Sequence, residues 1–213
     1  TRLLCVSGGS LGGLNTLEWA AMYPETVSSI IPVSTCSRLS PQGIAFSEVE
    51  RQAIIRDPKW RHGDYPPDDP PVDGLAVARM IGHITYLSAE SMHTKFGRRR
   101  KADSVSSSLG EQFEIESYLS YQGEKFVERF DANTYIYLTK AMDFYDLAKG
   151  YDTLVESVKR IAAKSLFISF RSDWLFSPRE TAELVDAMRE AGCDVEYRSE
   201  ERRVGKECAT GCR

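Results

Sequence analysis

Residues 3–13, LLCVSGGSLGG, place a short apolar run directly before a glycine-rich turn. Residues 3–6 are typical of a buried strand, and the apolar positions after the turn recur at helical spacing. This helix must end near Pro24, since proline disfavours helix in the residue before it, and residues 27–33 then predict a second strand. A strand, a helix and a strand in this order predict an α/β fold with a parallel sheet and flanking helices.

The turn itself fits the pattern G-x-S-x-G, with Ser10 between the strand and the helix. In that setting the pattern predicts a strained turn that presents a nucleophilic hydroxyl, and the backbone N–H of Leu11 can help to stabilise an oxyanion. The alternative is a glycine-rich turn that binds phosphate. A P-loop has Lys and Ser/Thr after its glycines and a dinucleotide site has G-x-G-x-x-G, and residues 7–13 supply neither cleanly. The nucleophile is therefore the favoured interpretation.

The rest of the chain divides into a helical insertion and a return of the α/β pattern. Residues 1–38 are predicted to form the first part of the core, residues 39–150 a helical lid, and residues 151–197 the later strands of the same core. The predicted lid elements are helices at 43–55, 72–96, 112–130 and 133–147 (the last capped by Asp131), a proline-rich loop at 57–71 and a linker at 98–110. After the lid come a helix at 154–162, a strand at Lys164–Phe170, a helix opened by a capping box at Ser177 and a strand from Asp194.

Asp173 is the candidate for the acid that orients a catalytic histidine, since it follows a late strand beyond the insertion. The alternative is an ordinary loop aspartate, because Asp is common in turns. Trp174 and Phe176 beside it are more typical of the wall of a site than of its catalytic groups. The histidines all precede Asp173 and lie in the insertion, so the sequence lacks a complete Ser-Asp-His triad. They are His62, His83 and His93.

Composition excludes several classes of function. The 213 residues carry 27 Lys and Arg against 31 Asp and Glu, a net charge of −4, so there is no broad basic field to attract a nucleic acid. No apolar run approaches the roughly 20 residues that span a bilayer, and no signal peptide is visible, so no membrane partner is expected. The five cysteines are scattered and odd in number, which favours a reducing, cytoplasmic location.

The two ends of the chain indicate a piece of a longer protein. Residues 1–6 read as a buried strand without a preceding Met, so the chain is expected to begin inside a fold whose earlier part is missing. Residues 198–208, RSEERRVGKEC, have no structural periodicity and resemble a translated sequencing-library adapter. Genuine sequence is therefore expected to stop near Tyr197, and residues 198–213 are interpreted as a non-native tail.

Several separated motifs follow one another between residues 3 and 197. They are GGSLGG at 8–13, LEWA at 17–20, YP at 23–24, GLAVARMI at 74–81, TY at 85–86, ESYL at 116–119, YQG at 121–123, FDANTY at 130–135 and SDWLF at 172–176. In this order they resemble the homoserine O-acetyltransferases, a family with the α/β-hydrolase fold. The resemblance implies that fold, with an incomplete parallel sheet, flanking helices and a helical lid insertion.

The resemblance also implies a role for each candidate residue. Ser10 would be the nucleophile that accepts the acyl group, and Asp173 the acid of the triad. Arg79 would hold the homoserine carboxylate, with Tyr86 beside it, and positions seven apart do lie on nearly the same face of a helix. From the residues alone, a solvated arginine is the alternative for Arg79. His83 is expected to pack within the lid or line it, and not to act as the base.

The catalytic histidine of the family lies roughly thirty residues beyond the acid and is followed by an aspartate that contacts substrate. Counted from Asp173, that position falls on residues 202–205, RRVG, within the suspected tail. The histidine is therefore expected outside this chain. The 213-residue chain by itself is predicted to lack acyltransferase activity.

The implied reaction moves an acetyl group from acetyl-CoA to the hydroxyl of L-homoserine through a seryl acyl-enzyme, early in methionine biosynthesis. It requires no metal and no permanently bound cofactor, and the family resemblance implies a homodimer formed through the lid helices. A succinyl donor would bring a second carboxylate that needs a cation, so the apolar Leu175 near the acid favours acetyl. Succinyl transfer, serine as the acceptor, a serine esterase and a non-catalytic binding relative stay open as alternatives.

Overall fold

The computed structural model describes residues 2–101, 110 and 112–200, and these residues form two compact units. The sheet unit comprises residues 2–44 and 141–200. The helical unit comprises the described residues between 45 and 140.

The sheet unit is built on four parallel strands in the order β1-β2-β3-β4. The strands are β1 (Val6–Gly9), β2 (Ser29–Val33), β3 (Lys164–Phe170) and β4 (Val195–Glu200). Parallel neighbours need a crossover connection, and helices α1 (Leu11–Met22) and α8 (Pro178–Glu190) lie between β1 and β2 and between β3 and β4. The parallel sheet with flanking helices that the sequence predicts is confirmed.

The core of the sheet unit lies where helix faces pack against the sheet. Phe167 of β3 has no exposed surface, and along β3 buried residues alternate with partly exposed ones, as a strand requires. Other fully or almost fully buried members come from β2, α1, α8, the short helix α7 (Leu154–Val158) and the segments that connect these elements. They include Leu17, Ile30, Val158, Leu184 and Met188.

Helix α8 begins with the capping box that the sequence predicts. The Ser177 hydroxyl accepts the backbone N–H of Glu180, and the Glu180 carboxylate accepts the backbone N–H of Ser177 at 2.9 Å. Pro178 occupies the first helical position, where the missing N–H costs nothing. The start of the element that follows Asp173 is therefore determined locally.

The helical unit contains most of α2 and α6 and all of the helices between them. Its elements are α2 (Pro41–Ile55), a 3₁₀ helix (Pro58–Gly63), α3 (Val72–Tyr86), α4 (Ala89–Phe96), α5 (Glu114–Val127) and α6 (Ala132–Phe144). Ile54, Leu75 and Phe126 lie at its apolar centre. Asp131 caps α6 as predicted, because its Oδ2 accepts the N–H of Thr134 at 2.7 Å.

The single helix predicted at residues 72–96 is wrong, since the chain forms two helices there. Leu87 has the extended angles φ −111° and ψ 137°, and the Ser88 hydroxyl accepts the N–H of Ser91 at 3.0 Å. This serine cap offers the backbone a local partner and starts α4 anew. Helix α7 also ends at Val158, before the predicted end at residue 162.

Both outer strands differ from their predicted bounds. The first begins at Val6, and Leu3 makes only an isolated bridge with Val27. The last runs to Glu200, with residues 198–200 paired to residues 168–170 of β3, although the sequence assigns residues 198–200 to the tail. Strand pairing uses backbone N–H and C=O groups, so it does not depend on a particular side-chain pattern. Residues 201–213 of that tail, and 102–109 of the predicted linker, lie outside the described residues.

Among the residues that the structure describes, no helix is both long enough and apolar enough to cross a membrane.

Candidate active site

Ser10 occupies a strained turn between β1 and α1. Its backbone angles are φ 56° and ψ −122°, a conformation that costs a residue other than glycine about 1–3 kcal/mol. Its N–H donates to Val33 O at 2.9 Å, and its carbonyl accepts the N–H of Gly13 at 2.8 Å, so both backbone groups are held. The hydroxyl does not cap the helix. The strained backbone is therefore held by backbone hydrogen bonds, and the Ser10 hydroxyl is not needed to cap the helix.

The glycines around Ser10 differ in how much space surrounds the position of a Cβ atom. A Cβ on Gly8 would lie 2.3 Å from the carbonyl oxygen of Gly12, and a Cβ on Gly13 would lie 2.7 Å from Cβ of Thr35. A Cβ on Gly12 would meet nothing within 4 Å. The close approach of strand and helix thus excludes side chains at Gly8 and Gly13, as expected for a nucleophile elbow.

Leu11 is the first residue of α1. A backbone N–H in the first turn of a helix has no acceptor within that helix, and it lies at the positive end of the helix dipole. The position predicted to stabilise an oxyanion therefore has the local electrostatics for that role.

Asp173 follows β3, and its carboxylate is partly held by its own loop. Its Oδ1 accepts the N–H groups of Leu175 and Phe176, both at 3.0 Å, and its own N–H donates to Phe170 O at 3.0 Å. In the part of the chain that the structure describes, no donor bonds to Oδ2. One oxygen thus fixes the carboxylate, and the other is left for a further donor.

Ser10 and Asp173 lie at the same edge of the sheet, because each follows the carboxyl end of a parallel strand. Strand β2 separates them, and neighbouring strands are about 4.8 Å apart, so the two turns are about 10 Å apart. A cavity of about 770 Å³ opens beside Asp173, and the exposed Trp174 lines it. Phe176 instead lies in a buried apolar cluster with Leu14 and Leu39.

The sheet unit, residues 2–44 and 141–200, contains no histidine. His83, in the helical unit, is 9% exposed and its Nδ1 lies 3.0 Å from the Tyr118 hydroxyl. Burial, together with the nearby cations of Arg79 and Lys95, lowers the pKa of His83 from 6.5 to about 4. His83 is therefore neutral at pH 7 and packed among aromatic rings.

Arg79 and Tyr86 lie together on α3, as their spacing predicts. The guanidinium carbon of Arg79 is 5.4 Å from the centre of the Tyr86 ring and 4.6 Å from that of Phe126. Its Nε is buried and finds no hydrogen-bond acceptor within the described ranges. The aromatic faces attract the cation and hold it in place, so Arg79 is not the freely solvated arginine that was the alternative.

Sequence reasoning missed Glu50, which belongs to the same cluster. Glu50 is 7% exposed, and its Oε2 accepts the Tyr135 hydroxyl at 2.9 Å. Burial raises its pKa to about 7, although Tyr135 and the cations of Arg51 and Arg79 oppose the shift. The signal was available, because Glu50 and Arg51 share helical spacing with the buried Ile54 and therefore put charge on an apolar face.

A family model described as alpha/beta hydrolase fold matches residues 2–194. The chain belongs to the α/β-hydrolase family. Within that family, it is 50% identical over 196 residues to a homoserine O-acetyltransferase of Deferribacter desulfuricans, covering 92% of this chain and 52% of that relative. It is also 50% identical over 206 residues to a homoserine O-acetyltransferase of Methanohalobium evestigatum, covering 96% of this chain and 42% of that relative. The chain thus spans about half the length of the curated relatives it matches.

A solved structure gives the same result for the α/β-hydrolase fold. The homoserine O-acetyltransferase of Bacillus anthracis superposes with a TM-score of 0.84 at 26% identity, covering 94% of this chain and 54% of that one. The resemblance predicted from the motifs is confirmed by these relatives. The roles of Ser10, Leu11, Asp173, Arg79 and Tyr86 stay predictions.

Proposed function

We propose that the complete protein transfers an acetyl group from acetyl-CoA to the hydroxyl of L-homoserine through a seryl acyl-enzyme. The strained turn at Ser10 is the main support for this proposal. It places a serine hydroxyl at the carboxyl edge of the sheet, in a backbone conformation that is unfavourable for a residue other than glycine. Homoserine O-acetyltransferases at 50% identity support the choice of reaction.

The first half-reaction acylates Ser10. Its Oγ attacks the thioester carbonyl, its proton passes to a histidine of the complete protein, and the C–S bond breaks as that proton is delivered to the departing CoA thiolate. The N–H of Leu11 stabilises the oxyanion. Asp173 accepts the other imidazole N–H through Oδ2, because Oδ1 is already committed to its loop.

The second half-reaction transfers the acyl group. The homoserine hydroxyl gives its proton to the same histidine and attacks the ester carbonyl, and Ser10 Oγ leaves with that proton. Arg79 binds the homoserine carboxylate through two parallel hydrogen bonds, with Tyr86 beside it. The Nε of Arg79 supports this role, since this buried nitrogen has no hydrogen-bond acceptor among the described residues and an anion could supply one. The order of events makes the kinetics ping-pong.

Acetyl is the proposed acyl group. Leu175 packs against the cluster that contains Leu14, Leu39 and Phe176, so it extends an apolar environment. The carboxylate of a succinyl group would be unfavourable in such surroundings without a cation. The proposal further places the enzyme in the cytoplasm, early in methionine biosynthesis, as a homodimer formed through the helices between residues 39 and 150.

The test is a kinetic study of the complete protein, cloned from the gene that encodes this chain. Parallel double-reciprocal lines for acetyl-CoA and homoserine, and loss of acylation in Ser10→Ala, are expected. Arg79→Ala should raise the KM for homoserine at least tenfold, since it removes a charge-assisted pair. Arg129→Ala is the matched control, because Arg129 lies over the same Phe126 ring at 5.8 Å and should change the KM less than twofold.

Three results would overturn the proposal. Ester hydrolysis that is insensitive to Arg79→Ala would identify a serine esterase. A preference for succinyl-CoA, or for serine as the acceptor, would correct the substrates. No Ser10-dependent acylation of the complete protein would leave a non-catalytic relative.

A further inference from the structure

Glu50 and Tyr86 approach each other beside Gly82 in the helical unit, and the guanidinium carbon of Arg79 lies 5.4 Å from the centre of the same Tyr86 ring. A Cβ added to Gly82 would lie 3.6 Å from Glu50 Oε1 and 3.5 Å from the Tyr86 hydroxyl, so both oxygens occupy the space that this glycine leaves open. The second carboxylate oxygen of Glu50 is held by Tyr135 at 2.9 Å. The carboxyl group is therefore fixed with one oxygen toward the residues predicted to hold the acceptor carboxylate.

Within the described ranges, Arg79 is not in ion-pair contact with any carboxylate, although Glu50 is close enough to act on it through its charge. Arg79 contacts aromatic faces instead, at 4.6 Å from Phe126 and 5.4 Å from Tyr86. An incoming carboxylate can therefore take the guanidinium without displacing an existing salt bridge. It will, however, bring a second negative charge close to Glu50, and two neighbouring carboxylates resist being ionised together.

We propose that Glu50 is a positioning residue for the acceptor and that the Glu50 carboxylate takes up a proton when the homoserine carboxylate binds to Arg79. This inference rests on the proposed function. The proton comes from solvent and neutralises the Glu50 carboxylate, and no covalent bond changes. Binding of the acceptor is thereby coupled to the protonation of a buried group on a different helix.

The ionisable neighbours support the sign of this coupling. Burial raises the pKa of Glu50 to about 7, so the free protein holds it close to its midpoint at neutral pH. Tyr135, Arg51 and Arg79 all lower that pKa, and a carboxylate at Arg79 cancels part of this effect. The pKa of Glu50 must therefore rise on binding. Tyr86 and Tyr135 face the same site, and burial raises the pKa of Tyr135, so it stays protonated.

His83 does not contribute a competing titration in this range. It lies on α3 near Arg79 and Lys95, and its pKa is lowered to about 4. It is therefore neutral between pH 6 and pH 8, where the Glu50 coupling is expected.

The experiment is isothermal titration of L-homoserine into the complete protein at pH 7, in two buffers of different ionisation enthalpy, without an acyl donor. About 0.3 to 0.5 proton per homoserine should be taken up by the native protein, since near its midpoint about half of the Glu50 carboxyl groups are already protonated before binding. Glu50→Gln should still bind homoserine but take up less than about 0.1 proton. The control Glu128→Gln, which removes an exposed carboxylate from the same unit, should match the native protein.

Tyr135→Phe is a second variant that keeps the carboxyl group. Because the Tyr135 hydroxyl lowers the pKa of Glu50, its loss should move the maximum of proton uptake to higher pH. Proton release, no uptake by the native protein, or unchanged uptake in Glu50→Gln would overturn the inference. Normal acetyl transfer with no uptake would reject the inference alone, whereas Glu50-dependent uptake without acetyl transfer would reject only the proposed function.

Discussion

Replacing Gly8 with alanine should destabilise the protein far more than replacing Gly12, although both glycines belong to the same G-x-S-x-G pattern. The added Cβ at Gly8 would lie 2.3 Å from the oxygen and 2.5 Å from the carbon of the Gly12 carbonyl. Ordinary contact starts at 3.4 Å, so the backbone of β1 or α1 would have to move by about 1 Å. Neither atom belongs to a flexible side chain, so removing the clash requires a backbone shift that lowers the stability of the protein.

The magnitudes follow from these distances. Overpacking costs about 1–3 kcal/mol, and we expect about 3 kcal/mol for Gly8→Ala because only backbone can yield. At Gly12 nothing lies within 4 Å of the added Cβ, and the position is helical, so alanine should stabilise by about 0.5–1 kcal/mol. The two variants should differ by about 4 kcal/mol in free energy of unfolding.

Urea unfolding of both variants measures that difference, with fluorescence of Trp19 as a reporter on α1. Gly8→Ala should also slow acylation of Ser10 about a hundredfold, because a shift of about 1 Å misplaces the nucleophile. A Gly8→Ala protein as stable as the native one, or one more stable than Gly12→Ala, would refute the steric interpretation of the turn.

Three further predictions concern single side chains. Ser10→Gly should be about 1 kcal/mol more stable than Ser10→Ala in urea unfolding, because glycine tolerates a φ of 56°; equal stabilities would contradict strain at Ser10. Asp173→Asn keeps an oxygen for the N–H groups of Leu175 and Phe176, so it should lose activity but retain stability within about 0.5 kcal/mol. Asp173→Ala should lose activity and also about 2 kcal/mol of stability. Equal losses of stability in the two variants would argue against the loop contacts. The pKa of His83 is lowered from 6.5 to about 4, so the contribution of its neutral form to the free energy of unfolding is complete above pH 6.5 and is lost as the pH falls through about 4. This loss should reach about 3 kcal/mol relative to His83→Gln. Parallel pH profiles of the free energy of unfolding for the two proteins would reject it.

Local signals in the sequence predicted the parts of the fold that depend on neighbours in the chain. The cap at Asp131 and the capping box at Ser177 join groups three residues apart, so their residue types are visible in a short window. The break at Ser88 has a local cap too, but the apolar periodicity continues across it and concealed it. The same continuity led to a single long helix at residues 72–96.

The candidate site divides in the same way. Ser10 and Asp173 could be predicted because each directly follows a recognisable strand, and parallel strands bring their carboxyl ends to one edge. The spacing of Glu50 indicates a buried carboxyl, but its partners could not be predicted, since Tyr135 is 85 positions away and Arg79 lies on another helix. Motif reasoning also treated the glycines of the turn alike, whereas their distances to other atoms differ.

The parallel α/β architecture and the serine turn follow from the sequence, because periodicity and short motifs encode how backbone and apolar surface must be arranged within a few residues. Three properties emerge only in the folded chain: the glycines that are sterically required, the lack of an acceptor for Arg79 Nε among the described residues, and the burial of the Glu50 carboxyl. These properties depend on the separation of atoms that are distant in the chain. Burial and charge act through space, and the folded chain alone sets those separations.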